Sequence, residues 1–114
     1  MPNSTIATVQ LTKLIDKLDG AYAPDTLRAY RADIQEFIRF CADKPFETLP
    51  AQPEAVAAFL LGTPDQGIKS SKVKRKVSSI SAVHRPLSLP DPTKHPEVRI
   101  TERKIYRQLG TRFD

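Results

Sequence analysis

The chain has no tryptophan, one cysteine, two histidines and only four glycines among its 114 residues. A lone Cys41 permits no internal disulfide and cannot build a metal site by itself, as expected of a protein from a reducing compartment. It lies among Phe37, Ile38 and Phe40 and reads as a core residue, not a nucleophile. His84 and His95 fall on different segments, so a zinc-type centre lacks its ligands. The glycines are scattered at 20, 62, 67 and 110, which gives neither a glycine-rich phosphate loop nor a serine nucleophile elbow. No apolar run approaches the ~20 residues of a membrane-spanning helix. The start at Met1-Pro2-Asn3 lacks the basic and then apolar pattern of a secretory leader. The expectation is a cytoplasmic protein with no membrane partner, no cofactor, no metal and no catalytic residue of its own.

With 39% apolar and 27% charged residues, the remaining composition is that of one small soluble domain. Ten prolines and the glycines cut it into segments whose apolar spacing is three and four, so the fold class is all-α, with four to five helices. The first helix is expected over about 9–18, with Leu11, Leu14, Ile15 and Leu18 on one stripe and Gly20 as a left-handed cap. A second begins near Pro24 and stops by Lys44-Pro45, with Leu27, Tyr30, Ile34, Phe37, Ile38 and Cys41 inward. Pro53 opens a third, with Val56, Phe59 and Leu60 inward. The fourth starts at Ser70 or Ser71 and runs to about His84, with Val73, Val77 and Ile80 inward. Residues 87–94 read as an ordered loop, and a last helix opens at His95-Pro96-Glu97 and runs to Gly110. Residues 1–8 are expected to be a flexible N-terminus, 9–110 the domain, and 111–114 the start of a linker.

Charge is divided unevenly. From Ile68 onward the net charge is +8, against −3 for the preceding residues. The densest basic run, Lys69-Ser70-Ser71-Lys72-Val73-Lys74-Arg75-Lys76, sits at the N-terminal end of the fourth helix, where the helix dipole also attracts anions. If Val73, Val77 and Ile80 face the core, Ser71, Lys72, Arg75 and Lys76 project outward, a geometry suited to a nucleic-acid groove. On charge alone, a solvated basic face is an equally good reading.

One ordered set of motifs resembles a known family. Tyr22-Ala23-Pro24-Asp25-Thr26-Leu27-Arg28-Ala29-Tyr30 and Phe37-Ile38-Arg39-Phe40-Cys41, then Leu49-Pro50-Ala51-Gln52-Pro53-Glu54-Ala55-Val56, are followed by Ile80-Ser81-Ala82-Val83-His84, Leu89-Pro90-Asp91-Pro92-Thr93 and Arg103-Lys104-Ile105. Together they are similar to the N-terminal core-binding domain of tyrosine recombinases, the phage-integrase family, with its Cre-like members nearest in pattern. The sequence departs from that pattern at Phe40-Cys41 in place of Trp-Cys, at Ala23 in place of a hydroxyl cap, and at Ser88 where glycine is common.

The resemblance implies a compact orthogonal SAM-like bundle that forms half of a clamp on double-stranded DNA for integration and recombination. Its implied partners are a C-terminal catalytic domain and neighbouring protomers in a DNA-bound tetramer. Carried over by position, Thr26, Arg28, Ala29 and Ala32 of the second helix and Ser71, Lys72, Arg75 and Lys76 of the fourth would meet DNA. Arg31 is added from its outward spacing. Lys69, Arg103, Lys104 and Arg107 are expected to touch phosphates or a neighbouring protomer. The family's catalytic tyrosine and its cationic partners belong to the separate C-terminal domain, so this chain alone is not expected to be an enzyme. Two other readings stay open: a helical transcription regulator and a helical protein-interaction module. The stretch from Gly62 to Lys69 is longer than the usual helix-turn-helix turn, which counts against the first.

Overall fold

The computed structural model describes residues 2–62 and 70–109, with side chains from residue 9 onward. It is all-α: α1 (Pro2–Leu18), α2 (Pro24–Ala42), α3 (Pro53–Leu61), α4 (Ser70–His84) and α5 (Pro96–Gln108). The helix starts follow from local chemistry. Pro24, Pro53 and Pro96 occupy first-turn positions, where a missing N–H costs no hydrogen bond and the ring fixes a helical φ. His95 caps α5 directly, its Nδ1 accepting from the Glu97 N–H at 3.0 Å.

Two boundaries differ from expectation. The α1 backbone is helical from Pro2, well before the expected start near Val9. The 87–94 stretch is not plain loop, because short 3-10 turns at Arg85–Leu87 and Pro92–Lys94 enclose it. Asp91 organises the second turn. Its Oδ1 accepts from the Thr93 N–H and hydroxyl, and its Oδ2 accepts from the Ser81 hydroxyl of α4 at 2.6 Å. Ser88 closes the first turn at φ 58, a left-handed conformation that favours glycine.

The core forms where the apolar stripes meet. α2 packs most extensively against α4 and α1, and α3 against α5. Leu11 and Leu14 of α1, Ile34 and Phe37 of α2, Val56 and Leu60 of α3, Val73 and Ile80 of α4, and Val98 and Ile105 of α5 are all fully buried. Phe37 and Phe59 meet edge to face, with ring centroids 5.1 Å apart. Each such side chain contributes about 1.5–3 kcal/mol through burial.

His84 joins the two halves of the molecule. Its Nε2 accepts the Ala51 N–H at 2.8 Å, which requires the ring proton on Nδ1, and Nδ1 donates to the Ile80 carbonyl at 2.7 Å. The histidine is therefore neutral, and burial holds its pKa below the ordinary value. Gly20, at φ 88, makes the expected left-handed exit from α1. Cys41 is buried as expected; burial pushes its thiol up to about 11, against weaker opposing effects of Thr48 and Lys44.

Candidate nucleic-acid interface

The interface is built on the crossing of α2 and α4, and its centre is a carboxylate that the sequence reading passed over. Asp33 is 2% exposed on the side of α2 that meets α4. Its Oδ2 accepts from Arg75 Nε at 2.9 Å and its Oδ1 from Arg75 Nη2 at 2.8 Å, a parallel two-bond pairing. The Ser79 hydroxyl donates to Oδ2 at 2.7 Å and also approaches the Arg75 carbonyl. The hydrogen bond to Asp33 holds the Arg75 guanidinium pKa further up, against partial desolvation. The Arg75 side chain is still 42% exposed, so a guanidinium fixed at one edge faces solvent at the other.

Lys76 corrects an expectation. It was expected to project outward beside Arg75, yet it is 1% exposed. Its Nζ reaches Glu36 Oε1 at 2.9 Å and lies 4.6 Å from the centroid of the Phe59 ring. The physical reason is helical register. Val73, Lys76, Val77 and Ile80 follow the spacing of one helix face, and the long apolar stem of lysine fills that face while its ammonium meets the half-exposed Glu36. Lys76 is thus a packing residue and not a free cation.

The other expected residues separate into groups. On α4, Ser71, Arg75 and Ser78 form an outward strip at the spacing of one face, and Lys72 stands exposed on the first turn. On α2, Ala29 and Ala32 flank Asp33, with Arg28 further round on the exposed side and Thr26 half-buried in the first turn. Arg28 is paired with Asp25 on the same surface. Arg31 is exposed but lies about 160° round α2 from Asp33, so it does not share the α4 side. Lys69 lies outside the described residues. On α5, Arg103, Lys104 and Arg107 are exposed, remote in sequence from this crossing. The alanines and serines keep the surface low around Arg75, so a bulky partner has room to approach its guanidinium.

A hollow of ≈ 280 Å³ continues the crossing past the start of α2. Tyr22, Tyr30, Ser78, Ser81, Arg85 and Lys94 line much of it, and the two tyrosine rings meet edge to face at 5.7 Å. A second hollow of similar size lies on α5 among Arg99, Glu102, Arg103 and Tyr106. There the Tyr106 hydroxyl donates to Glu102 at 3.0 Å, and burial together with that carboxylate pushes the phenol pKa upward. A phenol raised in this way is a poor nucleophile near neutral pH. Among the described residues, no group of three or more His, Cys, Asp or Glu could hold a metal, and no helix is long and apolar enough to cross a membrane.

The missed residues carried a readable signal. Asp33 follows Tyr30 by three positions and precedes Phe37 by four, so a carboxylate sits at the edge of the buried stripe. Such a charge needs a partner, and the basic run supplies one.

An all-helical bundle with a fixed guanidinium on its α2–α4 crossing defines the structural class, and comparison with known proteins defines the family. Residues 15–88 match the phage integrase N-terminal SAM-like domain, and the chain belongs to that family. A curated relative, the integrase/recombinase xerD homolog of Selenomonas ruminantium, is 31% identical over 98 residues, covering 83% of this chain. The chain spans 28% of that relative's length.

Proposed function

We propose that this chain is the DNA-gripping domain of a site-specific tyrosine recombinase, binding duplex DNA through the α2–α4 crossing while a separate catalytic domain cuts and rejoins strands. The observation that carries the reading is Arg75, held by buried Asp33 yet open to solvent, with exposed Ser71 and Lys72 on the same helix. Family membership and the likeness to the xerD homolog support it. Ala29, Ala32, Ser71, Lys72 and Arg75 form the proposed contact surface, with Thr26 at its edge and Arg28, about 140° round α2 from Asp33, a peripheral contact. Arg31 is proposed as a peripheral phosphate contact only. Arg103, Lys104 and Arg107 on α5 are proposed to meet phosphates or a neighbouring protomer. No residue of this chain is assigned a catalytic role.

Titration against labelled duplex DNA at several salt concentrations tests the reading. For each phosphate neutralised, log K is expected to fall by about 0.9 per log unit of salt. Lys72→Ala should reduce that slope by about one, whereas Lys76→Met should leave it unchanged because Lys76 is buried. Absence of duplex binding by the parent chain would overturn the reading and favour a protein-interaction module.

A further inference from the structure

We infer that Asp33 is a positioning residue that presents Arg75 as a reader of guanine in the DNA major groove. The inference rests on the DNA-binding reading above and goes further, because it assigns a base and a reason for its selection.

Asp33 occupies one edge of the guanidinium, engaging Nε and Nη2. The N–H groups of Nη1 and the outer N–H of Nη2 have no partner among the described residues. They form the end of the planar fork directed away from the carboxylate. Two donors side by side on that end match the O6 and N7 acceptors of guanine, the commonest specific arginine contact in the major groove. A phosphate contact would not need such restraint, since an arginine can approach a phosphate from many directions. Here the orientation is fixed twice over: Asp33 is itself held by Ser79, and Ser79 stands one turn from Arg75 on the same helix. Holding the side chain in advance lowers the entropic cost of ordering it on the base. The small neighbours Ala29, Ala32, Ser71 and Ser78 leave a base edge free to approach.

The test is selection of tight binders from a randomised duplex pool by the full chain, run in parallel for the parent, Arg75→Lys and Asp33→Asn. The parent should enrich guanine at one position, and replacing that base by 7-deazaguanine should weaken binding about tenfold. Arg75→Lys retains the charge but loses the planar fork, so its guanine preference should fall about tenfold relative to the parent, measured against each protein's own affinity for unselected duplex. Asp33→Asn retains Arg75 and should flatten the same position. If that variant does not fold, Ser79→Ala, which frees the Asp33 carboxylate, should weaken the same preference to a smaller degree.

Guanine preference undiminished in Arg75→Lys would overturn the inference, as would a folded Asp33→Asn or Ser79→Ala variant with unchanged preference. DNA binding with no enriched guanine would overturn it too, while leaving the DNA-gripping reading intact. Failure of the parent to bind duplex at any salt would remove both.

Discussion

Two helices of this protein are rich in cations, and they use them differently. On α4, Lys76 is sealed beneath Phe59 and Glu36, and Arg75 is tied at one edge to Asp33. On α5, Arg99, Arg103, Lys104 and Arg107 are exposed, and Arg99 and Arg103 share a hollow with the half-buried Glu102. Counting basic residues would rank the two surfaces alike. Their burial and pairing show instead that α4 holds two of its cations, Arg75 and Lys76, in fixed directions beside exposed Lys72 and Lys74, whereas the cations of α5 are all exposed. Fixed groups suit discrimination between partners, and free ones suit general attraction to anions.

That contrast can be broken most forcefully at Lys76. Lys76→Ala is expected to destabilise the fold by about 2–4 kcal/mol, since it leaves a cavity beside Phe59 and an unpaired Glu36. Lys76→Met fills the same slot and should stay within about 1.5 kcal/mol of the parent in chemical denaturation. Equal losses for the two variants would mean that the ion pair, and not packing, gives Lys76 its value.

Asp33→Ala follows, with an expected loss of about 1–3 kcal/mol because Ser79 is left without its acceptor and Arg75 without its anchor. On α5, Lys104→Ala should change stability by no more than about 0.5 kcal/mol in the same assay, as expected for an exposed side chain without a partner among the described residues.

The pH dependence of stability separates the buried polar groups from both surfaces. His84 has a folded-state pKa below its ordinary value of 6.5, so the unfolded chain binds the proton more readily. The stability contributed by neutral His84 is therefore fully present above about pH 6.5 and is lost progressively as pH falls from there through the depressed folded-state value. Protonation of Nε2 removes the acceptor for the Ala51 N–H. At lower pH, burial raises the Asp91 pKa, but the hydrogen bonds from Ser81 and Thr93 together outweigh it, so the net shift is downward. A second loss should therefore begin as pH falls through 3.8. Thermal unfolding of the parent and His84→Gln across this range checks the first component, which should disappear in the variant.

A gain is expected at Ser88, where Ser88→Gly relieves a left-handed serine and should raise stability by about 0.5–1 kcal/mol. A loss on this substitution would show that the serine side chain contributes more than its backbone strain costs.

Much of this architecture was legible in the sequence because its signals are local. Proline in the first turn marks the starts of α2, α3 and α5, and spacing by three and four marks the inward residues of α2 and α4. The α1 start was not legible, since Pro2-Asn3-Ser4-Thr5 carries polar residues that suit a frayed end as well as a helix. Lys76 was misread because charge was weighed above register, although its position among Val73, Val77 and Ile80 already placed it inward. The Asp33–Arg75 pairing joins residues 42 positions apart. Only the packing of α2 on α4 brings them together, and no local pattern specifies that contact.

The prolines that open α2, α3 and α5 also act on the chain when it is not folded. Each ring removes φ freedom before any tertiary contact exists, so part of the native order at these turns is already present in the denatured ensemble. Neither Ala23 nor Gln52 supplies a side-chain cap to the helix that follows it. The starts of α2 and α3 therefore draw on stiffness of the unfolded chain more than on an interaction visible in the native state. Replacing Pro53 by alanine would preserve every helix hydrogen bond, yet it would enlarge the set of conformations the chain must surrender to fold.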